Sequence, residues 1–199
     1  MAPSPPINRY YPVKCPSTIY SVTAEERTSA IDFINRQNYI FQEFNHDRML
    51  DTFLPDATVY HSERTLRGHA EIKTFFETCY GRTVPGVCRS ATNHIVDRDE
   101  DDEDGTGVVV RYQQYLIRYG WEGDHEDGFS GKGTITQDGL PAIWWFGSVV
   151  DRLRMTEEGW KVYERFVGPS IRNSRLDRQQ GTCITFCNGK DGWWSVVFG

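Results

Sequence analysis

The sequence predicts an α+β fold: a cone-shaped, curved antiparallel sheet wrapped around N-terminal helices and open at one end. Two observations carry this. Helix-period apolar spacing is confined to the first 80 residues, and from residue 90 onward the pattern changes to long strands joined by polar or Gly-rich turns. A third observation bounds the size. At 199 residues the chain suits one domain with tails, expected as an extended Pro-rich arm over 1–22, a cone domain over 23–168 and a C-terminal tail over 169–199 able to cover a pocket or a dimer face. A bent sheet closing on a long helix leaves a concave chamber, a natural small-molecule pocket.

The elements follow in order. Thr23-Ala-Glu-Glu26 has the form of a capping box, and Ala30, Ile34, Phe41 and Phe44 recur at helical spacing behind it, predicting a helix of about 20 residues. Met49, Leu50, Phe53 and Leu54 predict a second short helix ended by Pro55. A strand is expected over 57–63, and after Gly68 the residues Ile72, Phe75, Phe76 and Cys79 mark a third helix. The strands then run over 90–97, 107–119 and 142–155, with the last from Trp160 to Val167. The acidic run DRDEDDEDGTG reads as a solvated hairpin loop; it lacks the ordered calcium-loop pattern.

Composition narrows the function. A net charge of −6 argues against nucleic acid or an anionic membrane as partner, and no apolar run approaches the roughly 20 residues of a membrane span. No secretory apolar region opens the chain. Five scattered cysteines, without a CxxC pair, read as reduced thiols in a cytoplasmic protein. Nucleotide, phosphate, acyl-enzyme and zinc-protease motifs are lacking, so neither cofactor nor metal is expected. His125, in the polar loop 120–133, reads as solvated. The 14% aromatic content suits an apolar chamber.

Period-two alternation selects the candidate site. If Ala57 and Val59 face inward, so does His61, and Tyr60 faces out. Asp151 shares a face with Val149 and Leu153, so a buried carboxyl there must pair or stay protonated. It either orients His61, donates to an enolate as a protonated acid, or forms an ion pair with Arg111, Arg154 or Arg165. Tyr112 and Gln114 share one face of their strand. Trp144, Trp145 and Phe146 read as wall and core.

Three segments carry a resemblance. FLPDATVYHSERTLRGHAEIKTFF, RSATNHIVD and FGSVVDRLRMTEEGWKVYERFV resemble blocks of SnoaL-like proteins, members of the nuclear-transport-factor-2-like superfamily, over about residues 27–168. That superfamily includes polyketide cyclases, scytalone dehydratase, ketosteroid isomerase, terpenoid isomerases and proteins without enzymatic activity. The resemblance implies His61 at the position of the isomerase general base and Asp151 at that of its oxyanion-binding Asp. The first-helix Tyr of that enzyme falls near Gln37, with Tyr39 two residues away. The second-strand His of scytalone dehydratase falls near Arg89, a cation able to serve an enolate or carboxylate. The resemblance also favours Asn93 as the pocket-side polar group, leaving His94 facing out or into a dimer contact. The expected function is therefore a cofactor-independent isomerase, cyclase or dehydratase of secondary metabolism. Its substrate would be an apolar polycyclic, polyketide or terpenoid molecule, with His61 and Asp151 catalytic and Tyr39, Arg89, Asn93, Tyr112, Gln114 and Trp145 binding it. A homodimer through the open sheet face is expected. The alternative is a non-catalytic binding or dimerisation module, and a subunit accompanying an oxygenase is a third possibility by fold analogy.

Overall fold

The computed structural model describes residues 22–61, 64–80, 84, 86–120 and 139–177. The arm over 1–22 (apart from Val22), the loop containing His125 and the tail beyond Asp177 lie outside the described residues.

Helix α1 (Ala24–Glu43) starts as the sequence predicts. The Thr23 hydroxyl accepts from the Glu26 N–H at 3.1 Å, and the Glu26 carboxylate accepts from the Thr23 N–H at 2.8 Å. The same carboxylate takes two bonds from Arg98, which tethers the helix start to the sheet. Phe44 ends the helix in the left-handed conformation, φ 57°. Helix α2 (His46–Asp51) follows, capped by the Asn45 side chain. Helix α3 (Gly68–Thr78) buries Ile72, Phe75 and Phe76. Gly68 enters it at φ +69°, where a Cβ would also lie 3.1 Å from the Pro55 carbonyl.

Six strands form one unclosed curved sheet: β1 (Phe53–Tyr60), β2 (Thr65–Arg67), β3 (Val87–Arg98), β4 (Val108–Arg118), β5 (Ala142–Thr156) and β6 (Gly159–Arg172), in the order β2-β1-β6-β5-β4-β3. All pairs are antiparallel except β1 on β6, which is parallel. A row of facing residues, Val59, Arg165, Asp151, Val110 and Val96, crosses five strands on the concave side. The helices pack on that side, and Ala30, Ile34, Phe41, Phe53, Ala57, Phe76, Val110 and Leu153 fill one continuous core. No helix among the described residues is long and apolar enough to cross a membrane.

Two expectations are corrected. Phe53 and Leu54 belong to β1, not to α2, and Pro55 lies inside that strand. The Thr52 hydroxyl closes the helix on the Met49 carbonyl at 2.7 Å, and Phe53 already faces Val162 of β6. Pro55 is tolerated because the register slips between Phe53 and Thr58. The acidic hairpin is also not wholly solvated. Asp99 and Asp102 are buried, Asp99 against the Arg152 guanidinium at 2.7 and 2.9 Å and Asp102 against Arg154 at 3.1 Å. Buried carboxylates need such partners, and β5 supplies them on its outer face.

Replacing the helix cap, Thr23→Ala, removes the reciprocal bond at the start of α1. Urea unfolding followed by tryptophan fluorescence is expected to show a loss of about 1 kcal/mol.

Candidate functional site

The centre of the concave face is polar. The Asp151 side chain is fully buried. Its Oδ1 accepts from Arg165 Nε at 2.6 Å, and its Oδ2 accepts from Arg165 Nη2 at 2.7 Å and from the Tyr112 hydroxyl at 2.8 Å. Arg165 Nη2 also donates to the Gln37 side-chain oxygen, and Gln37 Nε2 donates to the Thr52 hydroxyl at 2.8 Å. One chain of bonds therefore joins β4, β5, β6, α1 and the end of α2. The Arg165 guanidinium lies over Phe53 at 5.1 Å and within 5.9 Å of Phe41. Burial works against the charge of Arg165, but the Asp151 carboxylate outweighs it and raises its pKa. Burial pushes the Tyr112 phenol well above its ordinary value, and the Asp151 charge pushes it further.

His61 does not join this cluster. It continues the inward Ala57–Val59 face, as alternation requires, and lies half-buried with its ring 4.9 Å from Phe75. Tyr60 faces out, stacked on Phe166 at 4.6 Å. Both Asp151 oxygens are held by Arg165 and Tyr112. The Asp151 carboxyl is thus turned to Arg165 and Tyr112, not to His61. The ion pair with Arg165 is the arrangement found.

A bulge rearranges the second strand of the site. Pairing of β3 with β4 slips between Thr92 and Ile95, and Asn93 occupies the left-handed region at φ 55°. Asn93 is exposed and donates to the Gln113 side chain at 2.8 Å on the outer face. His94 turns inward instead, stacked on the Tyr112 ring at 5.7 Å. The expected orientations of Asn93 and His94 are therefore exchanged. His94 Nε2 is shut off from solvent and has no hydrogen-bond partner, and burial lowers the pKa of the imidazole.

Arg89 lies on the same face of β3, opposite Leu116. Its guanidinium covers Phe41 at 5.0 Å, and its Nε is sealed without a partner. Burial lowers its pKa; a bond to the Tyr80 hydroxyl acts the other way. Gln42 of α1 donates to the Arg89 carbonyl at 3.3 Å, fixing the strand under the helix. Gln114 is buried beside Tyr112 but spends its amide on the Ser90 carbonyl at 3.2 Å. Trp145 is half-buried, its ring folded over Gly147, where a Cβ would sit 2.5 Å from the indole. Tyr39 is 70% exposed and lines nothing on the concave side. The helical repeat through Ile34 and Phe41 turns Gln37 inward and Tyr39 out.

Sequence reasoning turned His94 outward; it named Arg165 among three possible partners of Asp151 and gave Gln37 only as the position near which the isomerase's first-helix Tyr falls. Helical phase was a sufficient signal for Gln37. For His94 the signal was weaker: Asn is among the few residues that tolerate the left-handed region a bulge needs.

A sequence profile for the SnoaL-like domain matches residues 22–165. The chain belongs to the SnoaL-like domain family. Solved structures agree with that fold. Aln2 from a Streptomyces species superposes with a TM-score of 0.57 at 14% identity, covering 80% of this chain and 99% of its own. An NTF2-like protein with a cystatin-like fold from Novosphingobium aromaticivorans gives 0.53 at 14% identity, over 72% and 80%. A protein of the same organism, provisionally named a scytalone dehydratase, gives 0.53 at 14% identity, over 75% and 88%. Identities this low establish the fold alone. No curated protein sequence matches the chain.

Asp151→Ala leaves the Arg165 guanidinium buried and unpaired, and is expected to cost about 3–5 kcal/mol in urea unfolding. The double variant Asp151→Leu with Arg165→Met removes both charges and is expected to recover most of that loss.

Proposed function

We propose that this SnoaL-like protein is a cofactor-independent enzyme of the isomerase, cyclase or dehydratase class. It moves a proton on a small apolar carbonyl compound, polyketide- or terpenoid-like, held against the concave face. The observation that carries the reading is the His94 imidazole: inward-facing, stacked on Tyr112, with an Nε2 that neither protein nor solvent engages. A buried polar atom without a partner costs free energy, and a substrate proton or oxygen at hydrogen-bond distance removes that cost. The family, and the provisional dehydratase name of one structural neighbour, support the same class.

In this reading His94 takes a proton from a carbon next to the carbonyl and returns it at another position. Burial disfavours the imidazolium, so the resting base is neutral at pH 7. The excess of buried positive charge nearby, Arg165 and Arg89 against Asp151, favours the enolate that proton removal creates. Tyr112, its phenol locked onto Asp151, is a positioning residue that holds the imidazole from below. His61 packs against Phe75 at the end of β1, with three strands between β1 and β3, and takes no part in this step. Asp151 acts through Arg165 and Tyr112, to which both of its oxygens are bonded.

The test uses exchange, which needs no knowledge of the natural product. With 2-tetralone in deuterated buffer, loss of the α-proton NMR signal is expected to run faster with the protein than without it. His94→Ala is expected to lower that rate by roughly 10²–10⁴-fold. The rate is expected to fall with acidification. Because the folded pKa of His94 is depressed, the midpoint of that fall should lie below about 6.5, the ordinary histidine value. Exchange equal to the buffer rate, or undiminished in His94→Ala, would leave the binding-module reading in its place.

A further inference from the structure

We infer that the substrate carries a carboxylate, and that Arg89 is the residue that recognises it. The inference rests on the proposed use of the concave face as a ligand site and adds what the ligand must bring. It begins with the ionic groups on that face. Arg165 is matched by Asp151 through two bonds. Arg89 has no such match among the described residues. Its Nε is shut off from solvent without a partner, its hydrogen-bonding neighbour is the Tyr80 phenol, and the Arg165 cation acts against its charge. Among the described residues on this side, Asp151 is already matched to Arg165, and His61, His94 and Tyr112 carry no carboxylate.

A guanidinium placed over Phe41 beside the Tyr80 phenol, with no carboxylate partner among the described residues, gives up part of its hydration without a matching anion. Removing one partner of a buried pair costs several kcal/mol because the other charge stays behind. Among the described residues, Arg89 is left in that half-paired condition. A neutral carbonyl would accept one N–H and leave the charge in place. A carboxylate accepts two in parallel, matches the planar fork of the guanidinium and cancels the charge. The aromatic surroundings, Phe41 beneath the guanidinium and Trp145 across the sheet, suit a planar apolar body behind that anion. The substrate class is then a small aromatic or polycyclic acid, ionised before the reaction begins.

The probes are 1-naphthoate and its neutral analogue 1-naphthamide, titrated into the full chain by isothermal calorimetry. The wild-type protein is expected to bind the acid at least tenfold more tightly than the amide. Arg89→Met is expected to erase that preference while keeping amide binding. Arg89→Lys, which keeps the charge but loses the fork, is expected to retain only part of it. A thermal melt supplies a second readout: Arg89→Met removes a half-buried guanidinium whose Nε is sealed without a partner, so its Tm without ligand is expected to rise, and 1-naphthoate is expected to raise the wild-type Tm only. Equal binding of the two probes, binding of neither, or a preference that survives in Arg89→Met would overturn the inference. Should Arg89→Met fail to fold, it contradicts the expected rise in Tm and counts against the proposal. Binding and exchange fail separately. A chain that prefers the acid but exchanges no proton refutes the catalytic reading alone, and one that exchanges 2-tetralone without charge preference refutes only the carboxylate.

Discussion

The buried pair between Arg165 and Asp151 is the constraint on which the rest of the molecule depends. Two charges taken out of water lose several kcal/mol of hydration each, and only full hydrogen bonding returns it. Here both carboxylate oxygens and the inner edge of the guanidinium are occupied, by Tyr112 from β4 and Gln37 from α1. The requirement is geometric. If α1 slid by one turn along its axis, about 5.4 Å, Gln37 would leave Arg165 and the pair would lose its last acceptor. Apolar packing of Ile34 and Phe41 alone would tolerate such a slide far better, because neighbouring apolar residues could take their places. The ion pair therefore sets where the long helix lies on the sheet, and hence the shape of the concave face.

The strands β5 and β6 carry a second ionic cluster on the opposite side. Arg152 and Glu164, each adjacent in sequence to a member of the inner pair, face outward and bind each other at 2.6 Å. Arg152 also grips Asp99, and Tyr163 donates to the same carboxylate while lying between the guanidinium groups of Arg152 and Arg154. Alternation thus delivers one charge pair to each face of the same hairpin. The inner one orders the helix. The outer one ties down the acidic turn after β3, whose charges would otherwise repel one another. Both faces of the central hairpin are consequently rigid, and the polar groups left without partners lie elsewhere.

Much of this was legible from residue spacing. The capping box, the buried phase of α1, the face shared by Tyr112 and Gln114, and the inward side of Asp151 all follow from periods of 3.6 and 2, which are local properties. Apart from Tyr39, which local helical phase already turns outward, the misplacements share a cause: each depends on a contact distant in sequence. Pro55 sits in a strand because the register against β6 slips beside it. Asp99 is buried because Arg152, far along the chain, reaches it. Asn93 and His94 exchange faces because β3 takes an extra residue opposite Tyr112, and a single insertion reverses every orientation that alternation assigns. The fold-level resemblance led to the overall architecture and could not place that bulge. The pairing of His61 with Asp151, natural by analogy, fails for a similar reason: Arg165 already fills the space along the row between β1 and β5.

Polar satisfaction is distributed unevenly across the concave face, and the unevenness has direction. On β5 and β6 each donor at the centre meets an acceptor. On β3, the edge strand, Arg89 and His94 each keep a sealed nitrogen without a partner. Two other sealed nitrogens have different settings: His46 packs its ring between Phe44 and Phe76, and Arg118 still donates to the Gly120 carbonyl and covers Trp144. Selection for stability alone would remove the pair on β3, because an apolar side chain of similar volume avoids their desolvation cost. Both members share one strand and one face and lie near Tyr112, the residue that anchors the satisfied cluster. The arrangement has the form of a rigid wall opposite an incomplete one. A ligand seated between them would complete the β3 side while the Asp151–Arg165 side stays fixed, so its binding need not reorganise the helix or the sheet. That preorganisation is what selective proton transfer requires, since a base that must first break its own hydrogen bond spends driving force before it reaches the substrate.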